Sequence, residues 1–316
     1  MAELVSAASI EAAARTLANV VVRTPLLPAD WLTERTGAMV RLKCESLQRA
    51  GAFKIRGAYT MIARLPETAR RRGVIAYSSG NHAQGVALAA KLFGVRAVVV
   101  MPTTAPEIKR SGAKRLGAEV VSEGTTSIER QRRAESIAAE QGLTIIPAFD
   151  HPDIIAGQGT VGLEILEEAP DVDAILVPIG GGGLVSGVAA WVARRRPGCL
   201  VIGVEPVAAD AMARSLEAGE PVTIEPKPTI ADGLMPVRPG DLTFEHTRAL
   251  VDRVVRVEDA AIEQAARLLL RESKLLVEPS GAATTAALLA GAYDARGARI
   301  AVVVSGGNVD PARVAA

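Results

Sequence analysis

The protein has 316 residues, of which 49% are hydrophobic and 3% aromatic, and its formal net charge is +1. This length suggests about two domains, and the near-neutral charge gives no indication of a nucleic-acid partner. No apolar run approaches the ~18 residues of a membrane span, and the N-terminus has no signal-peptide core. Cys44 and Cys199 lie in apolar segments and are predicted to be buried thiols, while His82, His151 and His246 are too scattered for a zinc site. We therefore expect a cytoplasmic protein without a membrane partner.

Strand-like and helix-like segments alternate along the chain. Continuous Val and Ile runs, such as 95–101, predict strands that are covered on both faces. This alternation predicts an α/β fold with mostly parallel sheets. The predicted strands are 74–78, 95–101, 119–122, 143–146, 174–178, 199–204 and 299–304. The predicted helices are 81–93, 107–116, 126–141, 184–195, 208–218, 258–272 and 280–290, and the proline-rich stretch 220–240 is expected to be a long loop.

Lys54 lies among small and apolar residues between two glycines, Gly51 and Gly57. A lysine amine is nucleophilic only when it is deprotonated, and apolar surroundings lower its pKa towards that state. This setting is what a Schiff-base lysine requires. The alternative is a surface lysine whose stem packs on apolar neighbours, and these residues alone favour that alternative.

Four consecutive glycines, 180–183, stand between a predicted strand and a predicted helix. Their backbone N–H groups can converge on an anion, to which the helix N-terminus adds its dipole, so a phosphate monoester is the expected ligand. A dinucleotide site is the rival interpretation, with Glu205 where a ribose-binding acid would lie. The G-x-G-x-x-G pattern fails, however, because Ser186 stands where the third glycine should be.

Two more polar turns follow predicted strands, at 78–85 and 305–308. Ligands in such folds bind beyond the carboxyl ends of the strands. The first turn is equally well explained as a carboxylate site or as a plain helix cap. Ser305 in the second turn could hydrogen-bond a ligand, although serine before a glycine turn is common.

In this order, Lys54, the 78–85 loop, the four glycines and Ser305 closely resemble the threonine and serine dehydratases. These are pyridoxal-phosphate enzymes of the tryptophan-synthase-β fold type (fold type II), and serine racemase belongs to the same group. The matching segments are 23–27, 156–160, 203–206, 230–233, 277–281 and 307–308. The resemblance reverses the interpretation of Lys54 in favour of the Schiff base. It also implies a large cofactor-binding domain (1–68 and 150–316) and a small domain (73–142) that carries the substrate loop.

The resemblance implies a role for each matching residue. Lys54 would hold the cofactor as an imine and move the α-proton, Phe53 would pack on the cofactor ring, Asn81 would bond the ring hydroxyl and Ser305 would face the pyridine nitrogen. The phosphate would be bound by Gly180, Gly181, Gly182, Gly183 and Leu184. The substrate carboxylate would be bound by Ser78, Ser79, Gly80, Asn81 and His82. Ser79 also matches the serine that protonates the opposite face of the α-carbon in racemases.

The implied reaction is β-elimination of L-threonine, L-serine or both, giving 2-oxobutanoate or pyruvate and ammonia. The alternatives are a serine or aspartate racemase, a 3-hydroxyaspartate dehydratase, and a catalytically silent paralogue that binds pyridoxal phosphate. A synthase of the cysteine-synthase kind fits less well, because His82 and Ala83 depart from its substrate loop. The expected partner is a small amino acid, and a homodimer or homotetramer is expected.

The residues expected to bind a divalent cation match the family only in part. Many relatives bind Mg²⁺ or Ca²⁺ through a glutamate, a backbone carbonyl and an aspartate. Glu205 and Ala209 match the first two, but Ala211 stands where the aspartate is expected. Losing one carboxylate weakens a site for a hard cation, and Glu205 is equally well explained as a helix cap or surface acid.

Overall fold

The computed structural model describes residues 3–78, 80–105 and 107–315. Within them the strands are β1 (Leu26–Pro28), β2 (Met39–Cys44), β3 (Val74–Tyr77), β4 (Ala97–Met101), β5 (Glu119–Ser122), β6 (Thr144–Ile145), β7 (Ala174–Pro178), β8 (Leu200–Pro206), β9 (Arg253–Val257) and β10 (Arg299–Val304). The helices are α1 (Ala7–Leu17), α2 (Asp30–Thr36), α3 (Lys54–Arg64), α4 (Glu67–Arg72), α5 (Asn81–Phe93), α6 (Glu107–Arg115), α7 (Ser127–Gln141), α8 (Pro152–Glu168), α9 (Gly183–Arg195), α10 (Ala211–Ala218), α11 (Asp241–Leu250), α12 (Asp259–Ser273), α13 (Pro279–Leu289) and α14 (Ala312–Ala315).

The strands form two sheets. The six-stranded sheet has the order β1-β2-β10-β7-β8-β9, and the four-stranded sheet has the order β5-β4-β3-β6. Only the β1–β2 pair is antiparallel among the described strand pairs. The α/β fold with mostly parallel, helix-covered sheets is thus confirmed, as are most of the predicted elements. Strands β5, β7 and β10 and helix α5 have the predicted bounds.

The parallel arrangement brings the three polar turns to strand ends. Ser78 follows β3, the four glycines follow β7, and Ser305 follows β10. β7 and β10 are neighbours in the six-stranded sheet, so their turns lie side by side. The turn after β3 comes from the other sheet. A ligand bound at these turns would therefore contact both sheets.

Helix α3 lies between the two sheets. Its residues Ile55, Ala58 and Ile62 belong to the apolar core of the four-stranded sheet. It also packs on α8, whose Gly157 leaves so little room that a Cβ there would lie 2.5 Å from the carbonyl oxygen of Arg56. The division into a large and a small domain stays a prediction, and α3 is the element that both parts share.

Two further expectations can be compared with the described residues. Cys44 and Cys199 are both buried free thiols, as predicted, and burial raises the pKa of each to about 12. None of the described helices is both long enough and apolar enough to cross a bilayer.

Candidate active site

Lys54 is the first residue of α3, and its amine is held in a partly buried, weakly polar place. Nζ donates a hydrogen bond to the carbonyl oxygen of Ala148 at 2.8 Å and lies 5.0 Å from the centroid of the Phe53 ring. Burial lowers the pKa of Lys54 to about 8, because the charged form loses hydration that one carbonyl does not replace. An appreciable fraction of this amine is therefore uncharged near neutral pH.

The start of α3 is tied to the end of β10. The backbone N–H of Phe53 donates to the carbonyl oxygen of Ser305 at 3.2 Å, and Ala52 pairs with Gly306. Ser305 itself is buried. The structure thus places Phe53 and Lys54 beside Ser305, while their roles at a cofactor ring stay a prediction.

Arg56, two residues after Lys54, fixes the same helical turn from the other side. It is fully buried and forms ion pairs with Glu45 (Nη2–Oε1, 2.7 Å) and Glu164 (Nη1–Oε1, 2.6 Å). Lys43, also fully buried, forms a second ion pair with Glu164 at 2.6 Å. Because buried charges are tolerated only when they are paired, this cluster holds the turn in one place. The sequence analysis missed it, since nothing in the local pattern distinguishes Arg56 from the surface arginines.

The glycines after β7 form a tight turn at the N-terminus of α9. Gly182 has φ +96°, a conformation that glycine adopts without strain. A Cβ on Gly181 would lie 2.2 Å from the ring of Phe149, so only glycine fits there. Thr243 Oγ1 donates to the carbonyl oxygen of Gly181 at 2.6 Å, which fixes the orientation of that peptide in the turn. Leu184 is buried in the first turn of α9.

Phe149 belongs to a connecting segment whose importance the sequence analysis missed. Ala148 accepts the bond from Lys54, and Phe149 packs on the glycine turn. Asp150 accepts hydrogen bonds from the first amides of α11, at 3.0 Å from Leu242 N and 3.1 Å from Thr243 N. This segment therefore joins the lysine, the glycine turn and the helix that supports the turn.

The loop after β3 opens α5. The N–H of Ser78 donates a hydrogen bond to the carbonyl oxygen of Val100, and Ser78 Oγ accepts one from the N–H of Gly80 at 3.3 Å. Ser79 lies outside the described residues. His82 is buried, with Nε2 2.8 Å from the carbonyl oxygen of Ile146. Burial, together with the nearby Lys54 charge, lowers the pKa of His82 to about 3, so this ring is neutral.

Asn81 lies in a chain of polar contacts that crosses between the sheets. Its Nδ2 donates to Glu278 Oε1, and its Oδ1 accepts from Asn308 Nδ2 at 2.9 Å. Glu278 is buried, and burial raises its pKa to about 7. The sequence placed Glu278 in a matching segment but gave it no role.

Glu205 is a helix cap in this structure. Its carboxylate accepts from the backbone N–H groups of Met212 and Ala213, each at 2.9 Å. Burial raises its pKa to about 8. Within the described chain, no group of three His, Cys, Asp or Glu is placed to hold a metal. The cation stays a prediction.

Comparison with known proteins agrees with this geometry. The family described as "Pyridoxal-phosphate dependent enzyme" matches residues 17–306. The chain belongs to this family. Its amine at Lys54 suits the aldehyde of pyridoxal phosphate, the cofactor of the family, and its glycine cradle at the N-terminus of α9 suits the phosphate.

Relatives within the family are similar over nearly the whole chain. An L-threonine ammonia-lyase of Thermotoga maritima is 46% identical over 97% of this chain and 76% of its own length. An L-threo-3-hydroxyaspartate ammonia-lyase of a Pseudomonas species is 42% identical over 94% of this chain and 93% of its own length. The solved structure of maize serine racemase has a TM-score of 0.95 and is 39% identical, over 98% of this chain and 95% of its own length. The solved structure of a T.th. threonine deaminase has a TM-score of 0.91 and is 44% identical, over 96% of this chain and 99% of its own length.

Proposed function

We propose that this pyridoxal-phosphate enzyme eliminates water from L-threonine, L-serine or both, and that the released enamine takes up water again and hydrolyses to a 2-oxo acid and ammonia. The observation that carries the proposal is the Lys54 amine. It combines a lowered pKa with a position beside Phe53 and the end of β10. The similarity to proteins named threonine ammonia-lyase and threonine deaminase supports the choice of reaction.

When bound, pyridoxal phosphate supplies the electron sink for the amino acid's α-carbon. This chain would hold it by its phosphate at Gly180–Gly183 and Leu184, against Phe53 at the ring face. Asn81 and Ser305 would orient the ring edges. Because Ser305 is a neutral hydroxyl rather than a carboxylate, it need not keep a pyridine nitrogen protonated.

Lys54 would serve as the proton acceptor at the α-carbon. A base works best when its pKa lies near the operating pH, and burial brings the pKa of Lys54 to about 8. The loop formed by Ser78, Gly80, Asn81 and His82 would bind the substrate carboxylate chiefly through the N–H groups of Asn81 and His82 at the start of α5, because those of Ser78 and Gly80 already have acceptors. The neutral His82 ring would help to hold the loop in place and would add no charge to the carboxylate site.

Racemisation and hydroxyaspartate dehydration are the second candidates. The likeness to maize serine racemase and to an L-threo-3-hydroxyaspartate ammonia-lyase favours them. In a racemase, Ser79 would deliver a proton to the face opposite Lys54. A silent paralogue is less well supported, because Lys54 is intact and its pKa is lowered.

The test is an assay of ammonia and 2-oxo acid over L-threonine, L-serine, D-serine and threo-3-hydroxyaspartate, each with and without a chelator. Chiral analysis of the amino acid left after partial turnover separates elimination from racemisation. Lys54→Ala should abolish turnover and the absorbance of the imine between the lysine and the cofactor. Steady ammonia release by Lys54→Ala without added amine would refute the role of this lysine. Loss of wild-type activity with chelator would support the predicted divalent cation.

We also propose that the enzyme is a cytoplasmic homodimer or homotetramer that acts on a free amino acid. Sedimentation equilibrium of the holoenzyme tests the oligomeric state, and a monomer at micromolar concentration would contradict it.

A further inference from the structure

Lys109 is a buried lysine to which the proposed chemistry gives no task. It lies on α6, the helix that connects β4 and β5 of the four-stranded sheet, and it is only 4% exposed. Its Nζ donates to Asp232 Oδ2 at 2.5 Å. Asp232 lies in a short 3-10 turn, Asp232–Leu234, of the long loop that belongs to the six-stranded sheet. Lysine is rarely buried unless it is paired, so this contact between the two sheets requires an explanation.

A second acid of the six-stranded sheet faces the same amine. Glu278 Oε2 lies 3.8 Å from Lys109 Nζ and, within the described part of the chain, has no hydrogen-bond partner. The other oxygen of Glu278 accepts from Asn81. One cation of the four-stranded sheet is thus attracted by two acids across the junction.

The stem of Lys109 also lies against the substrate loop. A Cβ placed on Gly80 would lie 3.1 Å from Lys109 Cδ and 3.2 Å from its Nζ. Gly80 immediately precedes α5, and its N–H is already fixed by Ser78 Oγ. The Lys109 side chain therefore fills the space that a side chain at Gly80 would need.

We propose that Lys109 is a positioning residue whose ion pair with Asp232 holds α6 against the six-stranded sheet and keeps Gly80 in place, so that the N–H groups of Asn81 and His82 that follow it can receive the substrate carboxylate. This inference rests on the proposed function in taking Gly80 as part of the carboxylate loop. The Lys109 side chain is 6% exposed, whereas that of Asp232 is 37% exposed. Lys109 is therefore the less hydrated member of the pair. Removing Asp232 would leave the buried Lys109 charge without a partner, which destabilises the folded protein.

The experiment compares Lys109→Met with Lys114→Met in the holoenzyme. Both variants remove one positive charge from α6, but Lys114 is exposed. We expect Lys109→Met to raise KM for the amino acid about tenfold, equivalent to ~1.4 kcal/mol, with a much smaller change in kcat, because the carboxylate is bound equally in substrate and transition state. Lys114→Met should leave both constants unchanged.

Two further measurements separate positioning from general stability. Asp232→Asn should raise KM to a similar extent, and the double variant Lys109→Met/Asp232→Asn should be no worse than either single variant. Hydrogen exchange of the α5 amides should be roughly tenfold faster in Lys109→Met than in Lys114→Met, since the loop loses its support.

Equal KM values and equal α5 exchange in the two lysine variants would overturn the inference, as would fully additive effects of Lys109→Met and Asp232→Asn. If the wild-type enzyme turns over none of the hydroxy-amino acids, the proposed function fails. The exchange comparison, which needs no turnover, then decides alone whether Lys109 holds the loop.

Discussion

The lowered pKa of Lys54 can be tested directly in the protein freed of its cofactor. At pH 7, a pKa of about 8 leaves roughly 9% of the amines uncharged, whereas the ordinary value of 10.5 leaves roughly 0.03%. Only the uncharged amine reacts with acylating reagents. Apart from steric access, Lys54 should therefore react about 300-fold faster at this pH than a lysine with the ordinary pKa.

The assay is brief labelling with a trace of an amine-acylating reagent over a series of pH values. Mass spectrometry of the digest then quantifies the peptide that contains Lys54. Exposed Lys91, on α5, is followed in the same digest as an internal reference. The labelling rate at Lys54 should be half-maximal near pH 8.

A half-maximal rate above about pH 10 would refute the argument that burial beside Phe53 leaves the amine poorly hydrated. Repetition with cofactor bound supplies the second control. Labelling at Lys54 should then disappear while labelling at Lys91 continues, because the Lys54 amine would be occupied. Persistent labelling of Lys54 in the holoenzyme would contradict its role as the cofactor lysine.

Three other perturbations follow from the structure. Gly181→Ala should weaken cofactor affinity at least tenfold by absorbance titration, because its Cβ would lie 2.2 Å from the Phe149 ring; unchanged affinity would show that the turn is not the phosphate site. Lys54→Met should raise the free energy of unfolding of the apoprotein below pH 8 by at most about 3 kcal/mol, an upper bound because the side chain is partly exposed. The folded state holds the proton of Lys54 less tightly than the unfolded chain, so this gain should shrink as pH rises from 8 to 10.5, and a pH-independent difference in urea unfolding would exclude the linkage. Thr126→Ala removes the capping box that Thr126 forms with Glu129 at the start of α7 and should cost about 1 kcal/mol in urea unfolding without changing cofactor affinity.

Most of the fold could be predicted because its signals are local. Buried parallel strands such as β10 are continuous apolar runs, and the turn residues after them mark the edge where ligands bind. Helix α8 was missed for an equally local reason: its glycines suggest a loop. A Cβ on Gly159 would lie 2.9 Å from the carbonyl oxygen of Gly187, so these glycines instead permit close helix packing.

Apart from Phe53 and Lys54 at the start of α3, the residues predicted for the candidate site lie in turns or loops that follow strands. The partners of those residues come from distant parts of the sequence. Ala148 receives the Lys54 bond from 94 residues away, and Glu278 meets Asn81 from 197 residues away. No periodicity links such pairs, since they depend on how the two sheets are placed. The Asn81 contact was therefore outside the reach of pattern reasoning.

A Schiff-base lysine, the role proposed for Lys54, must be held firmly and yet remain easy to deprotonate. These demands conflict if the group that fixes the lysine is an unpaired charge. Here they are met by different residues of one helical turn. Lys54 is surrounded by a carbonyl and a phenyl ring, so burial alone lowers its pKa. Arg56 anchors the turn, and its cluster pairs two cations with two buried acids. Since the cluster carries no net charge, it can fix the backbone of Lys54 without the strong field that a single unpaired ion would impose on the amine.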